Sequence, residues 1–326
     1  MTQGTEVRVL GADDVRVALS MEEAILAQRE AFGQLASGEA TIPQRTVLET
    51  VGGSTLFMPG LLPGPGALGL KAVSVVPANR DRGLPTVPGA ILLLDPETGL
   101  PTALMDATYL TALRTAAGSG LAIDLLANPE AHVLTVFGAG TQAREHIRAA
   151  RAVRPVSRVR VVSRTASRAQ ELVDSLDGVA ARVVTDPAEA VRGAHLILAA
   201  TNSPIPVFDG AHVEAGAHVG AVGAYTPETR EVDEDVVGRA RIVVDTREGA
   251  LEEAGDLLIP MRAGLIGADA IDAELGEIVN GTRPAGSCGR DITFYKSVGN
   301  AAQDLSTARR VMDAAIARGL GAVVAM

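Results

Sequence analysis

The stretch Val133-Leu-Thr-Val-Phe-Gly138-Ala139-Gly140-Thr141-Gln142-Ala143-Arg-Glu-His-Ile147 decides the architecture of this chain. Val133–Phe137 is a short run rich in β-branched and aromatic residues, the composition of a buried strand. It breaks at Gly138-Ala139-Gly140, and Thr141 opens a helical pattern that continues to about Val153. Gly138 permits a tight strand-to-helix turn. Gly140 lacks a Cβ, so main-chain N–H groups can approach a pyrophosphate at the positive end of the helix. Ala143 takes the third small position of the G-x-G-x-x-G/A pattern, where helix and strand pack closely. An ordinary tight turn would use the same glycines, but both flanking elements are readable here, and the pattern predicts dinucleotide binding.

Downstream of this turn the rhythm is strand–helix–strand. Strands are expected at 133–137, 158–163, 181–185, 195–200, 217–222 and 241–245, with helical stretches between the first four. Such alternation builds an α/β fold with a doubly wound, parallel Rossmann sheet. A helical stretch follows Glu248, then a strand at Ile292–Val298 and a final helix at Asn300–Ala317.

Upstream, the pattern changes. Val7–Leu10 is a short strand, and Ser20-Met-Glu-Glu23 is a capping box opening a helix that Gly38 closes. Strands at Arg45–Val51 and Ser54–Met58 flank Gly52-Gly53, a hairpin signal. A Pro/Gly-rich connection over Pro59–Gly66 leads to a strand at Ala67–Val76. Val87–Leu94 and Leu100–Met105 flank the turn Asp95–Gly99. With few helical interruptions, this part reads as antiparallel α+β. Ala107–Ala127 is a long helix full of small residues that bridges the two parts. The expected division is 1–120, with 300–326 returning to it, and 121–299 as the Rossmann domain.

Composition excludes several classes of function. Twenty-nine Lys+Arg against 39 Asp+Glu give a formal net charge of -10, and no basic stripe is present to neutralise a nucleic-acid backbone. The single cysteine, Cys288, precludes an intramolecular disulfide and suits a reducing cytoplasm. No run approaches the ~20 apolar residues of a membrane span, and Met1–Glu6 shows no signal-peptide pattern. No two of the histidines at 132, 146, 195, 212 and 218 stand four residues apart, and there is no Cys-x-x-Cys, so no protein-built metal site is expected.

The second Rossmann strand bears on the cofactor. NAD-specific units place an Asp or Glu about 20 residues after the glycines, where it accepts hydrogen bonds from the ribose 2′-OH. Here the strand ends in Ser163-Arg164-Thr165, with Arg168 one turn on and no carboxylate. A guanidinium with two hydroxyls suits a 2′-phosphate, so NADP(H) is preferred to NAD(H), which stays possible.

Three cations lack local acidic neighbours. In the long helix, Arg114 has Leu110, Thr111, Ala117 and Gly118 at i±4 and i±3, none able to pair with it. Lys71 sits within Gly69-Leu-Lys-Ala-Val-Ser-Val-Val76, where an unpaired charge is costly to bury. Arg45 opens the first hairpin strand. Each alone reads as a snorkelling surface cation; three together, beside a nucleotide fold, suggest a pocket for a carboxylate-bearing substrate. Arg is the better fork for that carboxylate, and a desolvated Lys can take acid–base duty.

With these residues placed, the chain resembles the ornithine cyclodeaminase/mu-crystallin family. The matching segments are Pro43-Gln-Arg45-Thr, Leu56-Phe-Met58-Pro-Gly, Gly69-Leu-Lys71-Ala-Val, Gly83-Leu-Pro-Thr86-Val, Thr111-Ala-Leu-Arg114-Thr115-Ala-Ala, Phe137-Gly-Ala-Gly-Thr-Gln-Ala, and Lys296-Ser-Val-Gly299 running into Gln303-Asp304-Leu. The resemblance implies a homodimer joined through N-terminal β-structure. It implies that Arg45 and Arg114 hold a substrate carboxylate, that Lys71 stands near the reacting carbon and nitrogen, and that Met58 and Thr86 line the pocket. It also implies cofactor contacts from Thr115, Ala200-Thr201-Asn202, Val222-Gly223-Ala224, Ser297 and Gly299.

One departure from the family separates its activities. Cyclodeaminases carry an acidic residue after the Gly-Ala pair, implicated in ammonia loss, whereas this chain reads Gly223-Ala224-Tyr225. A phenol is a poor base at neutral pH, so Tyr225 points to a substrate contact. Lys296 also stands where cyclodeaminases tend to carry an acid. The implied activity is NAD(P)H-dependent reduction of cyclic ketimines bearing an α-carboxylate, such as pyrroline-2-carboxylate or piperideine-2-carboxylate. The alternatives are an amino-acid or opine-type dehydrogenase, an ornithine cyclodeaminase, and a non-catalytic NADP(H)-dependent binder of small amino acids like mu-crystallin.

Overall fold

A computed structural model describes residues 6–326; the leader-free reading of the first residues falls largely outside them. By internal contacts, the chain through Arg114 forms one unit with Asn300–Met326, and Thr115–Gly299 forms a second.

The first unit is built on a seven-stranded sheet. Its first six strands in chain order are β1 (Glu6–Leu10), β2 (Thr46–Thr50), β3 (Gly53–Leu62), β4 (Ala67–Val75), β5 (Gly89–Leu94) and β6 (Pro101–Asp106). In space the order is Ala322–Ala325, β1, β6, β5, β4, β3, β2. From β2 to β6 every pairing is antiparallel, as expected. The expectation of a wholly antiparallel sheet fails at β1, which pairs parallel to β6 and antiparallel to the closing strand Ala322–Ala325. That closing strand was not expected: its four residues are all exposed, so they carry no burial pattern.

Two local expectations also shift. The hairpin loop is Val51-Gly52, because Gly53 already pairs with Thr50. The connection read at Pro59–Gly66 shrinks to Pro63–Gly66, since β3 runs on through Pro59 to Leu62. Proline is tolerated there because β2 pairs only as far as Phe57, leaving β3 an edge at Pro59.

The buried face of this sheet carries the C-terminal helix, on which a second helix packs. Met21–Ser37 has the expected Ser20/Glu23 capping box and ends at Gly38 in the left-handed conformation. The C-terminal helix, Ala301–Arg318, packs on it and on β3, β4 and β5. Buried polar contacts fix their register: Gln28 donates to Thr307 Oγ1 at 2.9 Å, and Ser306 donates to the Ala27 carbonyl at 2.8 Å. Gly60 and Gly69 face each other across β3 and β4, and a Cβ on either would come within 3.2 Å of the Leu305 side chain. This paired dimple seats the C-terminal helix on the sheet.

The chain leaves the first unit within the helix Ala107–Leu126. In the second unit the strands are β7 (Val133–Phe137), β8 (Arg158–Val162), β9 (Ala180–Val183), β10 (Leu196–Ala199), β11 (His218–Ala221), β12 (Ala240–Val244), β13 (Ile271–Glu274) and β14 (Ile292–Lys296). They form an all-parallel sheet in the order β13-β12-β14-β11-β10-β7-β8-β9. Near-continuous burial along β7, β10, β11, β12 and β14 fits a sheet covered on both faces. Strand β13 lies in a stretch read as helical; four residues at a sheet edge give too short an alternation to register.

The chain winds outward from β7 to β9 in one direction, then returns to lay β10 on the other side of β7. That reversal is the topological switch point at which open α/β sheets take their ligands. Phe137, Val162, Ala199, Ala221, Lys296 and Val244 stand level in register. The loops that follow these strands therefore leave from one edge of the sheet.

Candidate functional site

In the first unit, Lys71 lies on the buried face of β4, in register with Met58 on one side and Ile91 on the other. Alternation put it inward with Gly69 and Val73, and only 1% of it is exposed. An ammonium in that position requires a counter-charge. The C-terminal helix provides it: Lys71 Nζ lies 2.6 Å from Asp304 Oδ2. Arg114 donates from Nε to Asp304 Oδ1 at 2.9 Å and from Nη1 to Gln303 Oε1 at 3.2 Å. Lys71, Arg114, Gln303 and Asp304 thus form one buried cluster.

Electrostatics set the state of Lys71. Burial pulls its pKa down from 10.5 to about 8; Asp304 opposes the fall, while Arg114 and Arg45 reinforce it. Arg45 is half-buried just ahead of β2. Gln303 Oε1 also accepts from the Asn300 main-chain N–H at 3.0 Å, which fixes the amide's orientation. Its Nε2 is then a buried donor with no partner among the described residues. A donor left so costs about 1–3 kcal/mol, which an anionic ligand beside Arg114 would relieve.

Met58 is buried against Leu56, Val73 and Ala301, and Thr86 lies half-buried in the bend before β5. Tyr225 follows β11, is 41% exposed, and has its pKa raised by partial burial. The phenol therefore stays protonated at neutral pH.

In the second unit, the predicted glycine turn sits at the switch point. Gly138 adopts φ +114°, and a Cβ there would stand 2.5 Å from the Ala200 carbonyl oxygen, so a side chain is excluded. Gly140 is exposed, with nothing within 4 Å of a Cβ position. As N-cap of Thr141–Val153 it offers no side-chain acceptor, so the first-turn N–H groups of that helix are uncapped. Thr141 is exposed, Ala139 and Gln142 are half-buried, and Ala143 packs into the core beneath. This cradle fits a pyrophosphate.

Beyond β8, Ser163 Oγ accepts from the Thr165 N–H, and Arg164, Thr165 and Arg168 are exposed. Arg164 reaches past the end of β7 to donate to Asn202 Oδ1 at 3.0 Å. The loops after β8 and β10 are therefore joined over the glycine turn. Thr115 is buried in the Ala107–Leu126 helix.

Three buried carboxylates that sequence reading left unassigned organise the other loops on this edge. Glu231 Oε1 accepts from the Thr201 N–H at 2.6 Å and the Thr201 hydroxyl at 2.7 Å, and its Oε2 accepts from the Gly223 N–H at 2.6 Å. Asp256 accepts from the N–H groups of Glu231 and Val232 at 2.6 and 3.0 Å, and pairs with Lys296 at 2.7 Å. Lys296 also donates to the Ala224 carbonyl at 2.5 Å. Asp245 accepts from Tyr295, from the Ser297 hydroxyl, and from the N–H groups of Val298 and Gly299. These acids occupy unremarkable positions in the sequence, and only folding gathers the donors around them.

Known proteins share this architecture along the whole chain. It is 36% identical over 319 residues to a delta(1)-pyrroline-2-carboxylate reductase of Bacillus cereus, with 96% of this chain and 98% of that one covered. The delta(1)-pyrroline-2-carboxylate reductase of Thermococcus litoralis, solved with NADH and L-proline, superposes at a TM-score of 0.94 with 36% identity, covering 98% of this chain and 100% of the other. An archaeal alanine dehydrogenase dimer with bound NAD superposes at 0.93 with 35% identity, covering 98% and 99%. A profile of the ornithine cyclodeaminase/mu-crystallin family matches residues 5–319. With the family profile spanning residues 5–319 and relatives 36% identical along its length, the chain belongs to the ornithine cyclodeaminase/mu-crystallin family.

Proposed function

We propose that the protein is an NAD(P)H-dependent reductase of cyclic ketimines carrying an α-carboxylate, converting pyrroline-2-carboxylate or piperideine-2-carboxylate to L-proline or L-pipecolate. The buried Lys71–Asp304–Arg114 cluster carries this reading, because it sets a proton donor beside a carboxylate fork. With Nε and Nη1 committed to the C-terminal helix, Arg114 presents Nη2 to the substrate carboxylate, assisted by Gln303 Nε2 and by Arg45. Met58, Thr86 and Tyr225 are the further substrate contacts in this reading. The cofactor, when bound, would supply the hydride that the ring carbon takes up. Lys71 gives its Nζ proton to the imine nitrogen, so that C=N becomes CH–NH, and takes a proton back from water.

Gly138, Ala139, Gly140, Thr141, Gln142 and Ala143 hold the pyrophosphate in this reading. Thr115, Ala200, Thr201, Asn202, Val222, Gly223, Ala224, Ser297 and Gly299 line the rest of the cofactor's path. Ser163, Arg164, Thr165 and Arg168, with no acid at the end of β8, favour NADPH over NADH. Losing Arg164 is expected to remove about 1.5–3 kcal/mol of NADPH binding. Michaelis constants for the two cofactors in the wild type and Arg164→Ala test this; a wild-type preference for NADH defeats the cofactor choice.

The reaction class has its own test. Cyclodeamination needs a base beside the cofactor while ammonia leaves; Tyr225, held protonated, supplies none. Oxidation of NADPH by cyclic imines is expected, with no ammonia released from L-ornithine. Rapid ammonia release would return the protein to the cyclodeaminases. Turnover of pyruvate with ammonia but not of cyclic imines would make it an alanine dehydrogenase. Assembly as a homodimer is supported by β2, whose five residues are all exposed, including Val47 and Leu48. Light scattering at micromolar concentration should give twice the mass of one chain; a monomer overturns the assembly.

A further inference from the structure

The cradle at Gly138–Gly140 and the Arg164–Asn202 bridge account for one half of a dinucleotide. With its pyrophosphate at the end of β7 and its 2′ side toward β8, the other half of the cofactor runs toward the ends of β10 and β11. The loops there begin at Ala200 and Val222, and they approach each other closely. A Cβ on Gly223 would stand 1.9 Å from the Thr201 carbonyl oxygen.

Glu231 holds this juncture. It is fully buried, and its two oxygens take four donors: Thr201 N–H and Oγ1–H, Gly223 N–H, and Ala224 N–H at 3.3 Å. Its own main-chain N–H is gripped by Asp256, whose second oxygen pairs with Lys296, and Lys296 closes the circuit on the Ala224 carbonyl. The circuit ties together the loops after β10 and β11, the end of β14, the helix Gly255–Arg262 and the segment carrying Glu231. Two carboxylates and one ammonium in a buried site make an expensive construction, and a tight turn alone does not require it.

We propose that Glu231 is a positioning residue for the nicotinamide end of the cofactor, holding the Thr201 and Gly223–Ala224 loops in the geometry that end needs, while leaving the adenosine end untouched. This rests on the dinucleotide reading given above. Replacing the carboxylate by an amide points an N–H₂ group at the Thr201 N–H or at the Gly223 and Ala224 N–H groups, so the loops must part.

Calorimetric titration of each reduced cofactor against its nicotinamide-free fragment tests the proposal: NADPH with 2′-phospho-ADP-ribose, and NADH with ADP-ribose. Glu231→Gln is expected to weaken the favoured cofactor at least tenfold and its fragment less than twofold. Thr201→Val, which removes one donor and leaves the carboxylate in place, should show the same split at smaller size, and it decides the matter if Glu231→Gln does not fold. Equal losses for cofactor and fragment, or no loss for either, would show that Glu231 only supports the fold. A wild type that binds neither cofactor nor fragment overturns the dinucleotide reading and this proposal together.

Discussion

Lys71→Ala is expected to lower kcat for pyrroline-2-carboxylate on the order of 10²–10³-fold, with much less change in KM. In the proposed mechanism the ammonium is the proton source, and the substitution leaves the carboxylate fork in place. Because burial brings Lys71 to about 8, wild-type kcat should decline as pH rises through that value, and the variant should show no such limb. Retention of kcat within a few-fold would assign the proton elsewhere. The same group has a stability signature of definite sign. Below pH 8 it is charged in folded and unfolded chains alike. Between about 8 and 10.5 the unfolded chain holds more protons, so stability rises with pH across that window. The shift corresponds to roughly 3 kcal/mol, read as the pH-dependent part of the stability difference between wild type and Lys71→Met.

Asp304→Ala should be the most damaging single change for stability. It strands Lys71 and Arg114, both more than nine-tenths buried, without their shared counter-ion. Removing one partner of a buried ion cluster costs about 3–5 kcal/mol, visible as a lower midpoint in denaturant. Asp304→Asn keeps the volume and one acceptor, so it should lose less. It also removes the charge that holds Lys71 up, so the alkaline limb of kcat moves to lower pH. An unchanged midpoint in Asp304→Ala, or an unmoved limb in Asp304→Asn, would show that the pairing contributes nothing.

What could be read in advance follows the range of the forces involved. The glycine turn and the capping box at Ser20 are local, and each was legible; around Lys71 the strand-like run showed only that its charge is costly to bury unpaired, and its inward face came with the sheet. The sequence around Arg114 showed no acid within a helical turn and pointed to a substrate carboxylate; the acid it meets lies 190 residues away, on an ordinary-looking helix face. Glu231, Asp245 and Asp256 escaped for the same reason: most of their donors come from loops that follow strands whose lateral order is set by packing. Strand β14 shows this most clearly, because it enters between β11 and β12 although β13 precedes it in the chain. Pro59 misled in the other direction. Its local meaning as a break was overridden once β2 stopped short of it.

The discontinuity of the first unit imposes an order on synthesis. A ribosome delivers Thr115–Gly299, with all eight strands of its sheet, before Asn300 is made. The β1–β6 sheet is already outside by then, but it lacks the edge strand Ala322–Ala325, the helix seated on Gly60 and Gly69, and the Asp304 carboxylate. Until that tail arrives, Lys71 and Arg114 must keep their hydration, which holds the face of the sheet open. The first unit begun is therefore the last to have all its parts, and the residue that neutralises its buried cations also completes the proposed catalytic group.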